Sequence, residues 1–407
     1  MNLLIKNVVI FQPGTPHHLQ KKDILVENGI INAIENFIQP NKDFIIKDYC
    51  GAFLSLGWID THLPLTFPGD ERRENLETLT LAAKAGGFTD LICIPSKLSP
   101  LDTPESLISL KALTRHFDLN FHFIAGVTQN LNGKDLSELG LLVQAGALGF
   151  SNGQFPIHDP NLLIRILQYL QQFQLPFIIN PHLPIFNDGQ VNDSEIALQL
   201  GFKGIPKISE SLTIVQTLEV LKYVPAKVHF SPVTTHEGWQ LIKKAQNEGY
   251  SVTADISSNY FYFDDAFCAN YNTLAKVFPP YRDKNNQKFL LQHIDNLQGL
   301  ASLHNPVISE DKFLEFGISE PGIIHLQTSV PIFAEFASLE QMIPILTQKP
   351  VSVFSSLKRN LDVGYKANFT IFTKENWTFD KKDNKSLSNN SPFFGKNLSL
   401  KIIDIII

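Results

Sequence analysis

Imidazole is the side chain best suited to hold a divalent cation or move a proton near neutral pH. His62 closes the run Gly57-Trp58-Ile59-Asp60-Thr61-His62, and His182 ends Asn180-Pro181-His182. His229 opens His229-Phe230-Ser231-Pro232, and His304 follows Ala301-Ser302-Leu303. Metal-assisted hydrolysis needs three or four N, S or O donors in near-tetrahedral array, with a carboxylate to carry the proton. Alternate strand residues face the same way, so the position sharing a face with His62 is residue 64. It is Pro64, which offers no donor. Cys50, Cys93 and Cys268 are odd in number and widely spaced, which excludes a Cys-based zinc site and argues against a disulfide framework.

These histidines must be positioned by the elements around them. Asp90–Pro95, Phe121–Gly126, Phe177–Asn180, Lys227–Phe230 and Ser251–Asp255 are apolar runs of strand length. Helix-like stretches lie between them. Leu76–Ala85 is one, a second starts at Thr103-Pro104-Glu105 with Thr103 as cap and Pro104 at the first helical position, and a third covers Trp239–Glu248 before Gly249. Repeated strand–helix alternation predicts an α/β protein with a (β/α)₈ TIM barrel. The rival doubly wound sheet lacks a Gly-rich phosphate loop after its first strand.

Both ends read differently. Leu3–Phe11 and Asp23–Val26 are strand-like, and Asn28-Gly29 before Ile30–Ile34 signals a hairpin. Asn368–Phe372 and Leu398–Ile407 are β-type runs, separated by a polar loop over Lys374–Ser391. The expected organisation is a small β-sandwich built from 1–53 plus 357–407 around a barrel of 54–356. The chain has 407 residues, 43% hydrophobic and 18% charged, with a formal net charge of -6. That profile is globular and argues against nucleic-acid binding. The N-terminus lacks a signal-peptide pattern, and no apolar run approaches a membrane span, so a cytoplasmic location is expected.

The His62 run continues Leu63-Pro64-Leu65-Thr66-Phe67-Pro68-Gly69 and resembles the G-x-I-D-x-H-x-H-x-R-x-P-G signature of class I dihydroorotases and allantoinase-like cyclic amidohydrolases. Ala82-Ala83-Lys84-Ala85-Gly86-Gly87-Phe88-Thr89 is similar to the family's A-A-x-x-G-G-F-T. Ile94-Pro95-Ser96 to Asp102, Gly204-Ile205-Pro206 to Glu210, Phe278-Pro279-Pro280-Tyr281-Arg282 and Gly364–Phe372 resemble later family segments in the same order. The resemblance implies a metallo-dependent hydrolase barrel with an adjoining β-sandwich. It also implies the reversible cyclisation of N-carbamoyl-L-aspartate to dihydroorotate in pyrimidine biosynthesis, with two zinc ions and an aspartate as general base.

Carried over residue by residue, that chemistry fails. His62 keeps the first ligand place, but Pro64 replaces the second histidine. Thr66 stands for the substrate-gripping arginine and Ser96 for the assisting asparagine. The bridging segment G-F-S-D-D-G is here Gly149-Phe150-Ser151-Asn152-Gly153, so Asn152 replaces an anion. His182 is retained, Pro232 takes the next ligand place, and His229 matches a non-ligand histidine. Leu303 stands where the family has its catalytic aspartate. The equivalents of His62 and His182 serve different metals, so neither retains a ligand set. No cofactor is expected, and His62, His182, His229, His304, Asn152, Thr66 and Ser96 are expected as remnants of the old pocket.

Blander readings weigh on other residues. His304 and Arg282 read as structural, His17-His18 as a solvated pair, and Arg72-Arg73 as a solvated helix start. Asn259-Tyr260-Phe261-Tyr262-Phe263 reads equally as a binding surface or a packed loop. The expectation is a pseudoenzyme with its zinc site lost. It would be a homo-oligomer, and a scaffold for aspartate transcarbamoylase, with which inactive homologues assemble. The alternatives are a hydrolase with an altered metal site and a small-molecule sensor.

Overall fold

The structure, a computed structural model, describes residues 2–407. Seven parallel strands run in chain order: Trp58–Pro64, Phe88–Ile94, Asn120–Gly126, Gly149–Ser151, Phe177–Ile179, Val228–Phe230 and Val252–Ala254. The eighth position is an extended segment at Leu300, bridged in parallel to both Asp60 and Ile256. Thr61 N donates to Leu300 O at 3.2 Å and Ala301 N to Ile256 O at 3.1 Å, which closes the ring. Helices including Leu76–Ala85, Pro104–Thr114, Pro160–Gln171, Ile208–Tyr223 and His236–Asn247 alternate with the strands. This is the expected (β/α)₈ barrel. Inside it, Ile59, Ile92, Ile124 and Ile178 pack with Val353, Phe354 and Leu357.

The local signals worked where their chemistry is local. Asn75 caps Leu76–Ala85 in a capping box, and Thr103 caps Pro104–Thr114. The Trp239 helix starts earlier than expected, at His236, because Thr235 accepts from Gly238 N. Asn28 and Gly29 both have positive φ, 51° and 78°, as a two-residue hairpin turn requires.

A second, seven-stranded sheet joins the two chain ends in the order Lys401–Ile406, Phe369–Thr373, Phe53–Leu56, Asn2–Ile10, Lys21–Glu27 and Ile30–Glu35, with Ile45–Asp48 also on Asn2–Ile10. It encloses its own core of Leu3, Ile5, Val8, Leu54, Phe369 and Ile371. Gly57 hands the chain from this sheet to the barrel. A Cβ there would lie 1.8 Å from Asn368 Oδ1 and 2.1 Å from Thr89 Oγ1, so only glycine fits. The expected loop over Lys374–Ser391 needs correction. It contains the strand Trp377–Phe379, which pairs with Lys396–Leu398, and it packs onto the barrel. Its polarity hid a strand whose partner lies nineteen residues away, Thr378 against Asn397. The expected run Leu398–Ile407 is likewise divided, its regular strand being Lys401–Ile406. No helix among the described residues is long and apolar enough to cross a membrane.

Candidate functional site at the barrel mouth

An open cleft of about 220 Å³ lies where the first two barrel strands end, lined by His62, Pro64, Thr66, Arg73, Ser96 and Glu320 among others. His62 Nδ1 is 2.7 Å from Ser231 Oγ, which leaves Nε2 as the ring atom without a protein partner. Burial lowers its pKa to about 4 against the opposing pull of Asp255, so the ring is neutral at pH 7. Arg73 reaches across the cleft rim to Glu320 through two bonds of 2.6 and 2.7 Å, and it also meets Asp70 at 2.7 Å. The expected solvated arginine pair therefore needs correction. Arg73 is a fixed ion-pair centre, whereas Arg72 is largely exposed.

The other expected pocket remnants do not converge on this cleft. Asn152 is buried, and its amide is occupied: Thr128 Oγ1 donates to Oδ1 at 2.6 Å, while Nδ2 donates to the carbonyls of Leu131 and Phe155. His229 lies inside the barrel, with Nδ1 2.9 Å from Thr253 Oγ1 and Nε2 3.0 Å from Asp255 Oδ2. His182 is buried edge-on against Phe278, its Nδ1 without a partner. Burial lowers its pKa to about 4. His304 is turned the other way. Its Nδ1 accepts from the His325 backbone at 3.0 Å, so Nε2 carries the proton toward Glu74, 3.2 Å away. Each ring or amide has found a fixed partner or an apolar wall, which is why four remnants read as one pocket are dispersed.

Several polar groups at the site were missed by sequence reasoning. Asp255 directly follows the seventh strand, is wholly buried, and leaves Oδ1 unpaired while Oδ2 receives Thr61 and His229. Burial raises its pKa, but the pull of the neighbouring His229 ring and its hydrogen bond outweigh this and hold it low. Asp60 accepts from Ser302 N at 2.8 Å; burial nevertheless pushes its pKa up to about 6. Asp60 and Asp255 stood in view at the ends of apolar runs, but nothing local marked their partners. Glu74 gathers His304, Ser386, the Leu387 backbone and Thr78, and so ties the C-terminal segment to the barrel. Arg282 is structural as expected, donating to Ile205 O at 2.8 Å and Asn192 Oδ1 at 3.2 Å. Tyr260 and Phe261 are interior, so the aromatic run is a packed element.

Leu303 holds a left-handed backbone, φ 49°, its N–H donating to His62 O at 3.2 Å. That conformation costs a leucine roughly 1–2 kcal/mol, whereas Asp and Asn tolerate it. Leu19, Leu101 and Leu131 hold the same conformation, and the Leu303 side chain can neither give nor take a proton.

The loop after the eighth strand carries a buried lysine. Lys312 Nζ donates to Lys276 O at 3.0 Å and Glu320 O at 3.1 Å, and burial lowers its pKa to about 7. Between that value and about 10.4, the unfolded lysine pKa, the unfolded chain binds more protons, so stability rises with pH. The slope from this group approaches about 1.4 kcal/mol per pH unit. Urea titrations of wild type and Lys312→Met from pH 7 to 9.5 should show that extra slope in wild type only; parallel curves would contradict the assignment.

The site can be set beside known proteins. The fold is that of solved hydantoinases. L-hydantoinase (dihydropyrimidinase) from Arthrobacter aurescens matches with a TM-score of 0.87 and 21% identity, covering 99% of this chain and 94% of that one. The dihydropyrimidinase from Brevibacillus agri matches at 0.83 and 19%, covering 100% and 94%. A family model described as dihydro-orotase-like matches residues 51–238. The dihydroorotase of Syntrophotalea carbinolica is 31% identical over 97% of this chain and 94% of its own length. That of Caldanaerobacter subterraneus subsp. tengcongensis is 28% identical over 98% and 94%. The chain belongs to the dihydroorotase family of cyclic amidohydrolases.

The zinc pair expected from that family does not fit this donor set. Among the described residues, no three His, Cys, Asp or Glu side chains come together so as to hold a metal ion. His62 has its Nδ1 beside Ser231, Asn152 is fully bonded to protein, and Pro64, Pro232 and Leu303 offer no donor.

Proposed function

We propose that this chain is a non-catalytic member of the dihydroorotase family, acting in pyrimidine biosynthesis as a scaffold for aspartate transcarbamoylase. The observation that carries the reading is Leu303, an apolar side chain at the position where the family resemblance places the catalytic aspartate. Loss of a general base alone removes about 10²- to 10⁴-fold in rate. Here the activated hydroxide and the substrate clamp go with it. The rim supplies a surface for a partner: Leu198, Tyr271, Phe313 and Ile318 are all exposed in segments that follow barrel strands.

Two measurements test the two halves. Untagged protein purified with zinc in the medium should carry far less than one metal per chain. It should also show no turnover of N-carbamoyl-L-aspartate or dihydroorotate above background. Stoichiometric zinc with chelator-sensitive turnover overturns the non-catalytic half. The scaffold half expects co-elution with the transcarbamoylase of the same organism, and two separate peaks at micromolar concentrations refute it.

The cleft supports a second reading, a small-molecule sensor. Its neutral His62, with Thr66 and Ser96, could hydrogen-bond an uncharged polar ligand. A thermal-shift panel of pyrimidine intermediates tests it, and no stabilisation by any of them counts against it.

A further inference from the structure

The polar segment 381–391 lies on the barrel as a strap between two fixed ends. Phe379 pairs with Lys396, and Gly395 N donates to Phe379 O at 2.8 Å, so the ends are side by side. Phe379 and Phe393 are buried there. A compact loop with joined ends can lift as a unit without unfolding the strands that carry it. Asn384 gives the strap its internal shape. Its Nδ2 donates to Ser388 O at 2.9 Å, and its Oδ1 accepts from Ser386 N at 3.1 Å.

What holds the strap down is polar. Leu387 N donates to Glu74 Oε1 at 3.0 Å, the Ser386 hydroxyl donates to Glu74 Oε2, and Ser388 Oγ donates to Arg73 O at 2.8 Å. Further along, Asn390 Nδ2 donates to Asn305 O at 3.0 Å and to Gly322 O at 3.1 Å, while Val307 N donates to Asn390 Oδ1 at 3.2 Å. Leu387, the large apolar side chain of the strap, is 45% exposed. A cavity of about 10 Å³ bordered by His304, Asn384 and Ser386 also lies against it. A segment seated by hydrogen bonds, with little apolar area buried, opens at a lower free energy than a core element.

The strap's attachments are walls of the cleft. Arg73 and Asn305 both line it, the first from the loop after the first strand and the second from the loop after the eighth. Glu320 belongs to that second loop and takes Arg73 across the rim. The strap therefore ties together the same two loops that the Arg73–Glu320 pair joins. Glu74 is also held from the barrel side by His304 and Thr78, so the carboxylate stays in place when the strap leaves. We infer that the strap is a latch on the cleft, with Glu74 as its catch. Seated, it fixes the Arg73 and Asn305 walls; lifted, it frees them and the cleft widens. Glu74 acts here as a positioning residue, and the latch is independent of whether the barrel mouth is catalytic.

Hydrogen exchange of the full chain, read peptide by peptide, tests the latch. Glu74→Ala should speed exchange in 381–391 by about tenfold or more, the least expected from losing a hydrogen bond to a charged group. Exchange in 66–74 and 305–324 should rise with it, and the barrel strand Asn120–Gly126 should not change. A second readout sits in the cleft. In a Cys50→Ser background, whose remaining native thiols are buried, Ser96→Cys should react with a maleimide faster by a similar factor once Glu74→Ala is added. Should Glu74→Ala fail to fold, Ser386→Ala with Ser388→Ala removes hydroxyl bonds from the strap side and should move both readouts the same way. Unchanged exchange in the strap would overturn the latch. So would a strap that loosens while 305–324 and the Ser96→Cys reaction rate stay where they were.

Discussion

Replacing Asp90 with alanine should cost about 3–5 kcal/mol of unfolding free energy, the range for removing one partner of a buried ion pair. Asp90 is buried on the second barrel strand. It accepts from Arg359 Nη1 at 2.7 Å, Asn368 Nδ2 at 3.0 Å and Thr89 Oγ1 at 2.7 Å, with His122 Nε2 at 2.8 Å. Arg359 and Asn368 lie between the barrel's last helices and the terminal sheet. Without the carboxylate, Arg359 keeps a largely buried charge with Nε and Nη2 already unpaired, and the barrel loses one of its polar ties to that sheet.

The pH dependence fixes the sign. Burial raises the Asp90 pKa, but Arg359 and His122 outweigh it and hold the group far below the usual carboxylate range. A carboxylate depressed in the fold contributes stability above its unfolded pKa, near 3.9, and loses it only as pH falls through the folded value. The gap between wild type and Asp90→Ala in urea should therefore not narrow from pH 8 to 5 and should close only in stronger acid. A gap that already closes at pH 6 would show that Asp90 is not the anchor described.

Glu210→Ala should have an effect of similar size, again about 3–5 kcal/mol. The carboxylate is buried on the inward face of the Ile208–Tyr223 helix. It accepts from the backbone N–H of Thr234 and Thr235 at 2.9 Å each, and from both hydroxyls. These donors open the His236–Asn247 helix, whose N-terminus favours an anion. A Cβ at Gly238 would approach Glu210 Oε1 to 2.5 Å, so the helix is seated directly on the carboxylate. Buried Arg282 is the nearby cation: Glu210 supports its charge, which burial otherwise disfavours. Glu210→Ala with Arg282→Met should then cost less than the two single changes summed, because the double variant strands no charge. Strict additivity would show that the two are not coupled.

Both anchors bear on the site indirectly. Asp90 holds the terminal sheet against the barrel, and Glu210 seats the helix that begins just beyond Pro232 at the mouth. Asp90, Glu74 and Glu320 are paired with guanidinium, imidazole or hydroxyl groups of the protein.

The sequence by itself determined the architecture. Strand runs, caps at Asn75 and Thr103 and the Asn28-Gly29 turn are local signals, and local backbone preference was enough to read them. That Pro64, Pro232 and Leu303 bring no donor was equally legible, since a side chain without a lone pair or proton cannot bind or relay in any fold. Only the tertiary structure decided where the surviving polar groups point. His304 turns to Glu74, 230 residues earlier, and Asp90 meets Arg359, 269 residues later. Such pairings are set by how the barrel closes and how the terminal sheet lies against it. Burial then compels each polar group to find a partner, and no spacing along the chain records which one it will be.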